Sequence, residues 1–187
     1  MKDFLRAVWR WARWPVYILA VAFFGMVIYR IPVALDKQKT PGIVAQIHAT
    51  RLTLADVEGK SLPPVPDQAE NDATVVGIDK NNNGIRDDVE LAIFKKYPTD
   101  KKTRAAALQY ALELQMEFTQ VINSPTLVAV IQEEGRGGIC VLDNKKTNEI
   151  KDLTFNTQIR KDTREDLFRK YMTSYSLPNE NFCDIVF

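Results

Sequence analysis

The chain has few residues of the kinds on which enzymes most often rely. His48 is its only histidine, and Cys140 and Cys183 are its only cysteines. One histidine excludes the HExxH zinc motif, and any Ser-His-Asp or Cys-His arrangement would depend on His48. We interpret His48 as a solvated or hydrogen-bonded side chain. The sequence therefore predicts no catalytic residues.

Glycine is also scarce, and the run Gly135-Arg136-Gly137-Gly138 holds three of the 8 glycines. It lacks the Lys-Ser/Thr pair of a phosphate-binding loop. We expect residues 135–146 to form a loop that stops a helix, with Arg136 as a candidate for binding an anion. The neighbouring acids Glu133 and Glu134 diverge by about 100° on a helix, so we expect them on a solvated face.

The charge is nearly balanced, with a formal net charge of +1. The chain has no basic patch interleaved with aromatic residues outside its first 14 residues, and we therefore expect no nucleic-acid partner. It also has no Asn-x-Ser/Thr sequon. That absence favours a bacterial envelope over a eukaryotic secretory route.

One long apolar run lies near the start of the chain, in residues 15–29. It spans about 22 Å as a helix, against a bilayer core of roughly 30 Å, but Arg30 can snorkel and residues 31–35 continue the apolar surface. Basic residues precede the run, and tryptophans lie beside them: Lys2, Arg6, Trp9, Arg10, Trp11, Arg13 and Trp14. The positive-inside rule then predicts a cytoplasmic segment (1–14) and a transmembrane signal-anchor (15–35) in the inner membrane. A cleaved signal peptide is the alternative, and both interpretations export the remaining residues.

The two cysteines both fall in the part predicted to be exported. An even pair in an oxidising compartment predicts a Cys140–Cys183 disulfide, with two buried free thiols as the alternative. Closing a loop of this size would stabilise the fold by about 4 kcal/mol on the loop-entropy argument.

Residues 79–90 carry the one pattern that indicates a specific chemistry. They read Asp-Lys-Asn-Asn-Asn-Gly-Ile-Arg-Asp-Asp-Val-Glu, and they match D-x-[DN]-x-[DN]-G-x5-E at every defined position. Alternate oxygen-bearing side chains in a tight turn suit a hard cation that takes six to eight oxygen ligands. The alternative is a polar turn, because Asn and Gly tolerate positive φ. A turn alone leaves Asp79, Asp87 and Glu90 unexplained.

This stretch resembles the calcium loop of the EF-hand and related loops of bacterial envelope proteins. The resemblance implies a Ca2+ site with side-chain ligands at Asp79, Asn81, Asn83, Asp87 and Glu90 and a backbone ligand at Ile85. Two features depart from the pattern. The eighth position holds Arg86 instead of an apolar residue, and the chain contains no second loop. Because prolines precede the loop, we expect a solitary site without an incoming helix.

Helical periodicity follows the loop, and we expect an all-α domain of four or five helices. The predicted helices cover 88–97, 101–122, 126–134 and 163–175, with Leu114, Phe118 and Val121 facing the core. Ser124 and Pro125 are read as the cap and first turn of the third of these helices. We expect residues 36–66 to be a linker and residues 67–187 to be the exported helical domain.

These features predict a membrane-anchored calcium-binding protein of the bacterial envelope. It would act in the periplasm as a binding or adaptor module for another envelope protein, with calcium mainly structural. The alternatives are a calcium-dependent hydrolase of cell-wall or lipid substrates and a calcium sensor. A sensor is disfavoured by the absence of a second loop.

Overall fold

The computed structural model describes residues 2–177 and 181–187, without the side chains of residues 2–13 and 32–34. The basic and aromatic side chains predicted for the cytoplasmic segment therefore lie outside the described part, apart from Trp14. Within it the protein is all-α, as predicted from the sequence, with 68% helix and no strand. The helices are α1 (Lys2–Ala49), α2 (Leu54–Glu58), α3 (Gln68–Asp72), α4 (Asp87–Lys96), α5 (Lys101–Thr119), α6 (Ser124–Val141), α7 (Asn144–Thr154) and α8 (Gln158–Tyr171).

The chain divides into two compact units at Pro41 and Gly42. The first unit is the apolar part of α1, where every large apolar side chain from Val16 to Ile31 is exposed. A helix that is apolar on all sides is unfavourable in water and is normally buried in a protein core or a membrane. In the described residues, α1 is the one helix long and apolar enough to cross a membrane.

The second unit, residues 42–187, is built around α5. Side chains on all sides of this helix are buried between Arg104 and Glu117, because α2, α4, α6 and α7 all pack against it. Its core includes Ala107, Leu108 and Leu114. The predicted core stripe is confirmed, since Phe118 and Val121 also pack against this cluster.

The start of this unit differs from the predicted linker at 36–66. Helix α1 continues to Ala49, and the side chains of Ile47, Leu52 and Val57 are buried in the core. Within the linker, Thr53 caps α2 in a capping box with Asp56. Three apolar residues spaced five apart follow neither a helical nor a strand period, which is why the pattern did not reveal their burial.

The predicted loop at residues 135–146 is wrong. Helix α6 continues through all three glycines to Val141, and α7 begins at Asn144. The N-cap of α6 is Asn123, which forms a capping box with Thr126, so Ser124 is the first helical residue and not the cap. Glycine is unfavourable in a helix, but here the lack of a side chain allows α5 to approach closely. A Cβ atom added to Gly137 would lie 1.8 Å from Glu113 Oε2.

The predicted disulfide is confirmed. Cys140 near the end of α6 is bonded to Cys183, with their Cα atoms 5.1 Å apart. Polar contacts hold the same segment, because the backbone N–H of Asp184 donates to Gln109 Oε1 at 2.9 Å and Gln109 Nε2 donates to the carbonyl of Phe182 at 2.8 Å. The segment 181–187 is therefore fastened to both α5 and α6.

Candidate metal centre

The first half of the loop at residues 79–90 is a tight turn organised by side-chain oxygens. The carboxylate of Asp79 accepts hydrogen bonds from the backbone N–H groups of Asn83 at 3.2 Å and Gly84 at 2.8 Å. Asn83 Oδ1 accepts from the N–H of Ile85 at 2.9 Å. Gly84 has a φ of +85° and Asn82 a φ of +57°, a region that glycine and asparagine adopt most readily. The spacing of these residues therefore corresponds to a tight local turn in this chain.

The second half of the loop is the start of α4. Asp87 is the first residue of that helix, and Glu90 lies one turn further on. Asn81 Nδ2 donates to Glu90 Oε2 at 3.0 Å, and the N–H of Lys80 donates to Asp87 Oδ1 at 3.0 Å. Both ends of the loop are thus joined through residues that the motif names as ligands. The side chain of Ile85 is buried in the core beneath them.

The loop buries two carboxyl groups that no basic side chain of the described residues pairs with. Asp87 is 0% exposed and Glu90 is 1% exposed. Burial raises the pKa of the Asp87 carboxyl and raises that of Glu90 to about 7. Among the side chains that the structure describes, those of residues 14–31, 35–177 and 181–187, no lysine, arginine or histidine forms an ion pair with Asp79, Asp87 or Glu90. Such carboxylates are costly unless a positive charge reaches them.

Two buried polar atoms of the loop are also left without a hydrogen bond to any described residue. They are Asp87 Oδ2 and Asn83 Nδ2. The donor set suits calcium, which prefers carboxylate, amide and backbone oxygens. Asp79, Asn81, Asn83, Asp87 and Glu90 would bind through side chains and Ile85 through its carbonyl. In the described residues, however, no three Asp, Glu, His or Cys side chains converge in a metal-holding group. The loop's carboxylates are instead engaged with its own amide N–H groups.

Arg86 is the residue at which the loop departs most from the motif, and its role could not be read from the sequence. Its side chain is 0% exposed. The guanidinium pairs with Asp88, with Nε 2.5 Å from Oδ1. It also donates to the carbonyls of Thr154 at 2.9 Å and Leu153 at 2.8 Å, at the end of α7. The position that pairs with a second loop in the EF-hand is used here to fasten α4 to α7.

Arg136 and its neighbours do not form the surface expected from the sequence. Arg136 is buried in α6, and its guanidinium lies 2.8 Å from Glu133 and 2.7 Å from Asp184. It is therefore not available to bind an anion. Glu133 and Glu134 are also buried rather than solvated. His48 Nδ1 lies 2.7 Å from Glu133 Oε1, so this histidine is hydrogen-bonded.

Buried acids recur on the facing sides of α5 and α6. Burial raises the pKa of Glu134, and the nearby carboxyl of Glu117 raises it further. Burial also raises the pKa of Glu113 well above its ordinary value. Arg164 of α8 pairs with Glu117 at 2.9 Å and lies 3.9 Å from Glu134. These contacts join helices and give no sign of an open reaction site.

Fold and site together define a small all-helical domain that follows an apolar helix and carries a turn with buried carboxyl groups at residues 79–90. Comparison with protein families, with curated proteins and with solved structures found no match to this chain. The loop and the apolar helix are therefore the features from which a function is inferred.

Proposed function

We propose that the protein is a membrane-anchored calcium-binding module of the bacterial envelope, with calcium as a structural ion. The observation that carries the proposal is the pair Asp87 and Glu90, which are buried at the start of α4 with no basic partner in the described residues. A divalent cation would supply the missing positive charge. It would also stabilise the junction between the loop and α4.

The proposed location follows from α1 and the cysteine pair. Exposed apolar side chains between Val16 and Ile31 favour insertion in a membrane, and the basic residues before them favour a cytoplasmic start. Disulfides persist in oxidising compartments, and Cys140 and Cys183 are within bonding distance. Both observations support a periplasmic location for residues 36–187.

We further propose that the helical domain acts as a binding or adaptor module for another envelope protein. The alternative, a calcium-dependent hydrolase, loses the feature that motivated it. Arg136 was expected on a loop as a candidate for binding an anion, but its guanidinium is engaged by Glu133, Asp184 and Glu113. The binding module is therefore the better-supported function.

Calcium titration of the detergent-solubilised full-length chain, stripped of metal with a chelator, tests the metal site. We expect saturable heat in the micromolar-to-millimolar range, because two of the predicted side-chain ligands are neutral amides. Glu90→Gln should abolish most of that heat and the accompanying rise in melting temperature. Glu165→Gln is the matched control, since Glu165 is exposed on α8. Absence of heat and of a thermal shift up to millimolar calcium would reduce residues 79–90 to a polar turn.

A further inference from the structure

Two buried arginines hold the calcium loop and the segment that precedes it. Arg86 binds the end of α7, as described above. Arg160, in the first turn of α8, donates to the carbonyls of Asn71 at 2.6 Å, Val75 at 3.1 Å and Thr74 at 3.3 Å, and pairs with Asp72 at 2.8 Å. Its side chain is 0% exposed. Arg160 thus holds the chain that enters the loop, and Arg86, within the loop, binds the end of α7.

Asn156 connects the two arginines. It lies in the short turn between α7 and α8, and its Oδ1 accepts from Arg86 Nη2 at 3.2 Å and from Arg160 Nη1 at 2.6 Å. Its Nδ2 lies 3.5 Å from Asp88 Oδ2. The side-chain amide of Asn156 therefore contacts both Arg86 and Arg160. Asn156 itself is exposed and is far from the loop in sequence.

The contacts of the incoming segment reach the loop directly. Asn71 Oδ1 accepts from the N–H of Ile78 at 3.0 Å, and the carbonyl of Ile78 accepts from the N–H of Asp87 at 2.8 Å. Gly77 has a φ of +72°, and a Cβ atom there would lie 2.3 Å from Arg86 Cδ. The segment that enters the loop is therefore packed against the Arg86 side chain.

We propose that the corner between α7 and α8, through Asn156, Arg86 and Arg160, positions the calcium loop in place of a second loop. The inference rests on the proposed calcium function. In a paired module the partner loop holds the ligands in register through backbone pairing. Here the same constraint comes from a fork of arginine hydrogen bonds, which are rigid and directional. Asn156, Arg86 and Arg160 are positioning residues and are not ligands.

The positive charge of the two arginines, taken alone, would weaken calcium binding, whereas their positioning contacts would strengthen it. Two guanidinium groups near the site oppose the approach of a cation, so removing Arg86 would tighten calcium binding if only its charge mattered. Removing a positioning contact would weaken binding, because the ligands would have to be ordered when the ion binds. The neutral change Asn156→Ala separates these effects, since it leaves the net charge unchanged.

The test is calcium titration of the full-length chain in detergent, with melting temperatures measured with and without calcium. We expect Asn156→Ala to weaken binding by roughly fivefold to tenfold, in the usual range for coupled sites. It should also reduce the rise in melting temperature that calcium causes. Asn148→Ala, at an exposed position of α7, is the control and should behave as the wild type. Arg86→Lys, which keeps the charge and loses the fork, should weaken binding in the same direction.

The outcomes separate this inference from the calcium site itself. Wild-type affinity in Asn156→Ala, together with loss of binding in Glu90→Gln, would refute positioning by the corner and leave the calcium site intact. A lower melting temperature with an unchanged calcium-induced rise would show a purely structural role and would also overturn the inference. Absence of binding by the wild type would reject both proposals.

Discussion

Gly137 offers a sharp test of the contact between α5 and α6. A Cβ atom at this position would lie 1.8 Å from Oε2 and 2.7 Å from Cδ of Glu113. Glu113 is buried, with its Oε1 held by Gln109 Nε2 at 3.0 Å. The carboxylate therefore cannot turn out to solvent without breaking buried hydrogen bonds. We expect Gly137→Ala to push the two helices apart or displace Glu113.

The magnitude follows from two opposing contributions. Alanine in place of glycine stabilises a helix interior by about 1 kcal/mol. Overpacking of a filled site costs about 1–3 kcal/mol, and loss of a buried hydrogen bond costs about 1–3 kcal/mol more. The net change for Gly137→Ala is therefore a loss of about 1–5 kcal/mol. Gly138→Ala is the matched control, because its Cβ would meet only Tyr110 Cε2 at 3.8 Å. This variant should gain about 0.5–1 kcal/mol.

Differential scanning calorimetry of the full-length chain in detergent measures both changes. For a unit of this size, about 2–4 °C in melting temperature corresponds to 1 kcal/mol. Gly137→Ala should melt several degrees below the wild type and Gly138→Ala slightly above it. Equal stabilisation by the two variants would refute the close approach of Glu113 to α6. Equal destabilisation would contradict a continuous helix through residues 135–138, since a loop would lose the glycine conformations at both positions.

Two further predictions concern the buried acids and the cysteines. The pKa of Glu134 is raised in the folded state above its ordinary value of 4.5, so as pH rises the unfolded chain loses this proton first and stability falls through that window. Glu134→Gln should raise the free energy of unfolding at neutral pH and flatten its decline above about pH 4.5. Glu133→Gln should lower the free energy of unfolding by removing the pairing with Arg136. Urea unfolding between pH 4 and 8 measures both changes, and an unchanged pH dependence in Glu134→Gln would contradict the raised pKa of Glu134. Cys140 and Cys183 should resist alkylation in cells quenched with acid until a reductant is added, and rapid labelling without reductant would contradict the periplasmic location.

The sequence predicted the fold class and the long helices because their signals are local. The stripe around Leu114 repeats with the helical period, and Asp100 caps α5 locally by accepting from the N–H of Thr103. The disulfide could be predicted because two cysteines allow one pairing, and it is present in the structure. Each of these inferences needed only neighbouring residues or a count.

The errors have a common physical cause, which is that tertiary contacts overrode local signals. Gly137 is read as a helix stop because glycine lacks intrinsic helix propensity. A side chain at this position would meet the Glu113 carboxylate on another helix. Glu133 was assigned to a solvated face because acids are seldom buried, but His48, Arg51 and Arg136 surround its carboxylate. His48 and Arg51 lie more than 80 residues before Glu133, too far for a sequence pattern to reveal them.

The candidate metal centre shows the same division. The spacing of Asp79, Asn81 and Asn83 identified the turn, whereas Arg86 was visible only as a departure from the motif. Its partners Leu153 and Thr154 lie more than 60 residues further along the chain. The calcium ligands themselves stay a prediction, to be decided by titration.

The contacts between the loop and the α7–α8 corner also have a consequence for the order in which the chain is made. A solitary twelve-residue turn is a local structure, and contacts of short sequence separation form early. In this chain the loop is fastened by Asn156 and Arg160, so its final geometry must wait until those residues have been synthesised and have folded back. During that interval Asp79, Asp87 and Glu90 remain in a hydrated, mutually repelling stretch. Completion of this twelve-residue loop is therefore a late event for the nascent chain.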